Sequence, residues 1–136
     1  LAEFNAFISN LKKERPNLLV CGDYNIAHKP IDINHPERQI GVSGFLPEER
    51  AWLTSLFSHS GFVDVFRELY PDLEAYTWWS NRGQAWAKNV GWRIDYHIAT
   101  PALARTARQA GIFTARRFSD HAPLAVDYDF DVRRGN

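Results

Sequence analysis

The sequence predicts a mixed α/β chain, a sheet with flanking helices, on three observations. Short apolar runs such as Leu18-Leu19-Val20-Cys21 have the character of strands. Two other segments, Leu1 to Lys13 and Pro47 to Gly61, carry apolar residues at helical spacing. Both kinds of segment mix along 136 residues, the length of one ordinary domain, and 45% hydrophobic with 14% aromatic content supports a packed core.

Taken in order, Leu1, Phe4, Ile8 and Leu11 form one helical face, and Lys12-Lys13 with Pro16-Asn17 forms its stop. Leu18 to Cys21 is apolar at every position, as in a strand covered on both faces. Residues 26–46 contain Pro30, Pro36, Gly41 and Gly44 and read as a long loop, a length usually tied to function. Pro47-Glu48-Glu49 then opens a helix with proline at its start and acids in its first turn; Trp52, Leu53, Leu56 and Phe57 give its face and Gly61 ends it. Phe62 to Phe66 reads equally as a strand or a bend. Tyr76 to Trp79 and Trp92 to Thr100 are expected strands, the second alternating Trp92, Ile94, Tyr96 and Ile98 against Arg93, Asp95 and His97. Thr100-Pro101 is expected to cap a helix reaching Gln109, followed by a short strand at Ile112 to Ala115 and a last one at Leu124 to Phe130.

Sixteen basic and sixteen acidic residues cancel, so net charge neither announces nor excludes a polyanionic partner. Charge is local instead: Lys12-Lys13, Arg105 with Arg108, Arg116-Arg117 and Arg133-Arg134 are basic, while Pro47 to Glu49 and Asp127 to Asp131 are acidic. The single cysteine, Cys21, cannot form an internal disulfide and reads as a small core residue in a reducing, cytoplasmic setting. No run approaches the ~20 apolar residues of a membrane span, and no membrane partner is expected. The first residue is Leu and the composition contains no Met, so the sequence reads as a fragment.

Chemistry concentrates at strand ends. Gly22-Asp23-Tyr24-Asn25 follows the first apolar run, where open α/β sheets place their ligands, although a surface turn would use the same residues. Arg93 with Asp95 lies on a later strand, and Ser119-Asp120-His121 lies in a loop before the last one. A histidine beside carboxylates can be oriented by one of them and donate to an anion. Asp95 reads equally well as a structural ion pair with Arg93.

Three stretches in this order, Gly22-Asp23-x-Asn25, Gly91-Trp92-Arg93-Ile94-Asp95-Tyr96 and Ser119-Asp120-His121-x-Pro123, resemble the exonuclease III family of abasic-site nucleases within the endonuclease/exonuclease/phosphatase superfamily. So do Asn25-Ile26-Ala27-His28, Ile31-Asp32, Gly44-Phe45, Asp64, Phe66-Arg67, Tyr76-Thr77-Trp78-Trp79 and Lys88-Asn89-Val90. The resemblance implies a four-layer α/β/β/α sandwich of the DNase I-like kind, of which residues 1–136 match the C-terminal half and the N-terminal half is absent.

Its roles carry over as follows. Asp23 is implied to activate the attacking water, Asn25 to hold that water and the phosphate, His121 to bond the scissile phosphate and Asp95 to orient His121. Asp120 is the implied metal ligand on this chain, with Asp23, Asn25 and His121 as further contributors, for Mg²⁺ or its substitute Mn²⁺. Trp78, Trp92 and Ile94 are implied to receive a baseless deoxyribose, and Arg82 and Lys88 to contact DNA phosphates.

The implied activity is metal-dependent hydrolysis 5′ to an abasic site, with 3′-to-5′ exonuclease action, on double-stranded DNA with abasic sites or 3′ ends. The principal glutamate ligand of the family has no counterpart here, so weak metal binding and poor cleavage by the chain alone are expected. A half-sandwich leaves a sheet face open for the missing half or a second copy. Phosphatases of lipids share the Asp-x-Asn and Asp-His motifs but not the Lys88 to Ile94 stretch; a non-catalytic DNA-binding fragment is the remaining alternative.

Overall fold

A computed structural model describes residues 1–133. Its elements in order are α1 (Ala2–Glu14), β1 (Leu19–Asp23), two 3₁₀ turns at Pro30–Asp32 and Pro36–Arg38, α2 (Pro47–Ser58), β2 (Val63–Asp64), α3 (Val65–Leu69), β3 (Trp78–Trp79), β4 (Gly91–Trp92), β5 (Asp95–Ala99), α4 (Pro101–Ala104), β6 (Ala107–Ile112) and β7 (Leu124–Tyr128). Of the basic pair Arg133-Arg134, Arg134 lies outside the described residues. None of the described helices is long and apolar enough to cross a membrane.

Strand β5 is the centre of a three-stranded antiparallel sheet in the order β1-β5-β2. Alternation along the strands separates two cores. Tyr96 and Ile98 of β5, with Leu18 and Val20, pack under the helices against Ile8 of α1 and Leu53 and Leu56 of α2. Ala99 and Leu19 face the other way, onto Leu103 and Ala107 and onto Val126 and Tyr128 of the β6–β7 hairpin. The result is layered: helices, a sheet, then a second two-stranded sheet.

Helix α2 starts as the sequence predicts. Pro47 occupies its first turn, and the Glu49 carboxylate accepts from the amides of Leu46 at 3.0 Å and Gly44 at 2.7 Å, satisfying donors that a helix start leaves free. Gly61 follows α2 at φ +75, a left-handed conformation suited to glycine.

Several expectations are corrected. Cys21 is exposed, and Leu18, Leu19 and Val20 are only half-buried. The reason is position: β1 is an edge strand of its sheet, with β5 on one side only. The helix expected from Pro101 to Gln109 stops at Ala104, and Ala107–Ile112 pairs with β7 instead, with Ala110 opposite Val126 and Ile112 opposite Leu124. Ile112 to Ala115 is therefore the end of a strand and an irregular segment. Phe62 to Phe66 resolves into β2 followed directly by α3, whose N-cap is Asp64. The expected strand from Trp92 is interrupted: β4 ends at Trp92, β5 begins at Asp95, and Arg93 and Ile94 are both buried, so the alternation holds only from Asp95 onward.

The interruption is filled by a buried ion cluster. Arg93, 0% exposed, donates through Nε to Asp32 Oδ1 at 2.8 Å and through Nη1 to Asp64 Oδ1 at 3.0 Å, with Nη2 on Asp64 Oδ2. Arg67 Nη2 donates to the same Asp32 oxygen. Arg93 thus pairs with Asp32 and Asp64, leaving Asp95 free for another partner. Burial works against the Asp32 charge, but the two guanidiniums overcome it and hold its pKa below the usual carboxylate value.

Candidate active site

Antiparallel pairing of β1 with β5 places Asp23 opposite Asp95. A bridge between Trp78 and His121 brings the Ser119 to His121 loop alongside β3. Three segments distant in sequence therefore converge at one end of the sheet.

His121 Nδ1 lies 2.9 Å from Asp95 Oδ2, and its Nε2 lies 3.6 Å from Asp23 Oδ2. The Asp95 carboxylate only accepts, so Nδ1 carries the hydrogen of the first contact. Burial opposes a charge on His121, yet the hydrogen bond and charge of Asp95, with Asp23 and Asp120, outweigh it and raise the imidazole pKa. Asp23 Oδ1 is taken by the backbone N–H of Asn25 at 2.7 Å, which leaves Oδ2 facing the histidine. Asn25 itself sits at φ +55, the left-handed conformation that asparagine tolerates better than most residues, so this turn follows from the sequence Gly-Asp-Tyr-Asn.

Asp23, Asp95 and His121 offer ligand atoms all within 4.8 Å of one another. Two carboxylates and an imidazole suit a divalent ion by donor type. The His121 Nδ1 contact already consumes one Asp95 oxygen, however, so the trio reads first as a hydrogen-bonded His121–Asp95 pair with Asp23 facing the other ring nitrogen at ion-pair distance. Asp120 stands apart from the trio: its Oδ2 accepts from the Trp78 indole N–H at 3.1 Å, and its carbonyl accepts from Trp79 N at 3.0 Å. One such half-buried carboxylate matches the habit of Mg²⁺, which takes one or two carboxylates and keeps several waters.

A cavity of about 580 Å³ adjoins the cluster, lined by Asn25, Trp78, Trp92, Ile94, Asp120 and His121 with Val42 and Ser43. Trp78 and Trp92 meet edge to face with ring centres 6.0 Å apart, and Ile94 is 5% exposed. Of the residues singled out in the sequence, Asp23, Asn25, Asp95, Asp120, His121, Trp78, Trp92 and Ile94 thus surround one place. Arg82 and Lys88 do not line this cavity; both are exposed in the loop between β3 and β4.

Thr77 is a residue that sequence reasoning left without a role. It is 0% exposed, its Oγ1 accepts from the amides of both Ile94 and Asp95 at 3.1 Å, and its carbonyl accepts from Ala122 N at 2.8 Å. One residue, through its hydroxyl and its backbone carbonyl, thereby ties the Asp95 backbone to the segment carrying His121. The signal was its place inside Tyr76-Thr77-Trp78-Trp79.

Residues 1–121 match the Endonuclease/Exonuclease/phosphatase family. The chain belongs to that family. It is 42% identical to an exodeoxyribonuclease of Bacillus subtilis over 122 residues, covering 89% of this chain and 48% of the relative. It is also 42% identical to the DNA repair nuclease APEX1 of Danio rerio over 125 residues, covering 91% of this chain and 40% of that protein. A Neisseria 3′ phosphatase solved with a product DNA hairpin superposes with a TM-score of 0.89 at 28% identity, over 95% of this chain and 51% of that one. An AP endonuclease from Archaeoglobus fulgidus gives 0.82 at 27% identity, over 94% and 53%. The chain spans about half the length, or less, of these relatives. Its mixed α/β fold is accordingly that of about half of a DNase I-like sandwich, as the resemblance implied.

Proposed function

We propose that the chain is the C-terminal half of a metal-dependent DNA-repair nuclease, which hydrolyses the phosphodiester 5′ to an abasic site and degrades strands from their 3′ ends. The observation that carries the reading is the Asp23–His121–Asp95 chain beside the cavity of Trp78, Trp92 and Ile94. Nuclease relatives over nine-tenths of the chain support it. So does the DNA bound to the Neisseria structure.

The residues divide the work. Asp95 accepts from His121 Nδ1–H and so turns Nε2–H outward, where a raised pKa keeps it able to donate to a non-bridging phosphate oxygen. Asp23 Oδ2, left open because Oδ1 holds the Asn25 amide, accepts the proton of an attacking water while the Asn25 side chain aligns that water. The water oxygen bonds phosphorus, the ester bond to the preceding 3′ oxygen breaks, and that oxygen takes a proton from solvent. Mg²⁺, or Mn²⁺ in its place, would be held by Asp120 together with ligands outside this chain, and when bound it supplies Lewis-acid stabilisation of the phosphoryl charge. Trp78, Trp92 and Ile94 receive the baseless sugar, and Arg82 and Lys88 hold flanking phosphates.

The test is a labelled duplex with one abasic-site analogue, incubated in Mg²⁺ with the chain alone and with an N-terminal segment taken from a relative. Cleavage on reconstitution only, lost in His121→Ala, is the expected result. Two demonstrably assembled segments that leave the duplex intact would sink the reading.

A further inference from the structure

The stretch Phe113-Thr114-Ala115-Arg116-Arg117-Phe118 joins β6 to the Ser119 to His121 loop, and it is exposed throughout, with two arginines and no acid. Two large aromatic side chains stand in water there: Phe118 is 65% and Phe113 47% exposed. Their rings stack with centres 5.8 Å apart and planes 22° from parallel. The Arg116 guanidinium lies 5.4 Å from the centre of the Phe118 ring.

The stretch is also anchored. Arg117 Nη2 donates to Asn81 Oδ1 at 2.8 Å, its Nε donates to the Ser119 carbonyl at 3.2 Å, and its guanidinium sits 5.1 Å over Trp86. Arg117 is therefore occupied with holding the loop, while Arg116 and most of the Phe118 side chain, which stacks on Phe113, remain open to solvent. Phe118 further shares a cavity of about 360 Å³ with Asp95 and His121.

We propose that Phe118 and Arg116 form a platform for unpaired DNA nucleotides next to the catalytic cluster, Phe118 stacking on a base and Arg116 meeting the adjoining phosphate. The inference rests on the nuclease reading above and deepens it. An aromatic ring beside a cation suits a polyanion that carries π-faces, and residues 113–118 themselves offer no carboxylate to repel phosphate. The occupant is unpaired because a base stacked inside a duplex has no face to give. The platform thus selects strands that fray or end beside the scissile bond, a preference separate from the abasic cavity on the Trp78 and Trp92 side.

The experiment measures fluorescence anisotropy of a short labelled oligothymidine, and of a blunt duplex of equal length, with the 136-residue chain. Phe118→Ala is expected to weaken oligothymidine binding about tenfold and to leave the duplex nearly unchanged. Arg116→Ala should lower the slope of log affinity against log salt for the single strand by about 0.7. Phe7→Ala removes another exposed aromatic, on α1, and should change neither. A Phe118→Ala chain that keeps full oligothymidine affinity, or loses both DNA forms alike, overturns the platform while leaving the nuclease reading standing. A variant that keeps DNA but loses association with the added N-terminal segment also overturns it, by making the patch a protein interface. A parent chain that binds neither DNA form counts against both readings.

Discussion

Replacing Arg93 by Leu tests the physical account of the fold most directly. The guanidinium is 0% exposed and makes three charge-assisted hydrogen bonds, two of them a fork on Asp64, while its face packs 4.8 Å from the Tyr96 ring centre and 5.4 Å from that of Phe66. Leucine replaces part of the packing and none of the charge. Asp32 keeps Arg67, but Asp64, 8% exposed, loses its only side-chain ion pair among the described residues. Breaking one side of such a buried pair costs about 3–5 kcal/mol, a large share of the roughly 5–15 kcal/mol that keeps a domain folded.

The assay is urea unfolding of parent and variant, at neutral pH and again near pH 4.5. In the parent, the Asp32 pKa lies below its unfolded value, so its contribution is fully present above about pH 4 and fades only as pH falls through the lower folded value. Without Arg93, burial weighs more heavily against the Asp32 charge, and protonation relieves it. The gap between the two proteins should therefore narrow on acidification. The double variant Arg93→Met with Asp64→Leu should recover much of the loss, because no uncompensated charge remains at Asp64. A loss under about 1 kcal/mol at neutral pH, or a gap that widens in acid, would refute the reasoning.

Other perturbations follow from the same geometry. Thr77→Val keeps the shape but strands the amides of Ile94 and Asp95; an expected loss of about 1–3 kcal/mol in urea unfolding, restored by Thr77→Ser, separates its hydroxyl from its methyl group. Gly44 has φ +99, and an added Cβ would come 2.6 Å from the Trp92 ring, so Gly44→Ala should push Trp92 out of place; a shifted Trp fluorescence maximum with a lower urea midpoint is the expected pair of readings. Burial, aided by Lys29 and Arg93 against Asp32 and Asp64, lowers the His28 pKa to about 4, with Nε2 2.8 Å from Thr54 Oγ1. The unfolded chain, near 6.5, then binds more protons across that window, so stability should fall by about 1–2 kcal/mol as pH drops from 6.5 toward 4, after allowing for solvent screening of this half-buried ring. Equal pH slopes for the parent and His28→Gln would exclude that cause.

What was legible in the sequence was local. The apolar run into Gly22-Asp23, the face of α1, and the Pro47-Glu48-Glu49 start of α2 all obey rules that act within a few residues. The segment after Pro101 failed for the converse reason. Leu103, Ala104 and Ala107 recur at helical spacing among good helix formers, but pairing of Ala107–Ile112 with β7 decides the outcome. Arg93 escaped because its partners stand 61 and 29 residues away, beyond any spacing rule; the nearer Asp95, two positions on, looked the natural mate. The grouping of Asp23, Asp95 and His121 emerged only because a family pattern already linked their three segments.

The exposure of that trio carries its own consequence. Asp23 and His121 are each about one third exposed, at 34%, and the β1 edge beside them is open at Cys21 and Gly22. In water the attraction of two unit charges at 4 Å is about 1 kcal/mol, against about 4 kcal/mol at the effective dielectric of a protein surface. Groups aimed at a phosphoryl transition state are worth most where water is excluded. On the mechanism proposed above, a cluster this wet works at a fraction of its electrostatic strength. On the same proposal, a partner covering the open edge of β1 would raise the rate in two ways, by bringing further metal ligands and by drying the Asp23, His121 and Asp95 side chains. A reconstituted enzyme should for that reason gain more than metal affinity alone accounts for, and saturating Mg²⁺ should not rescue the isolated chain.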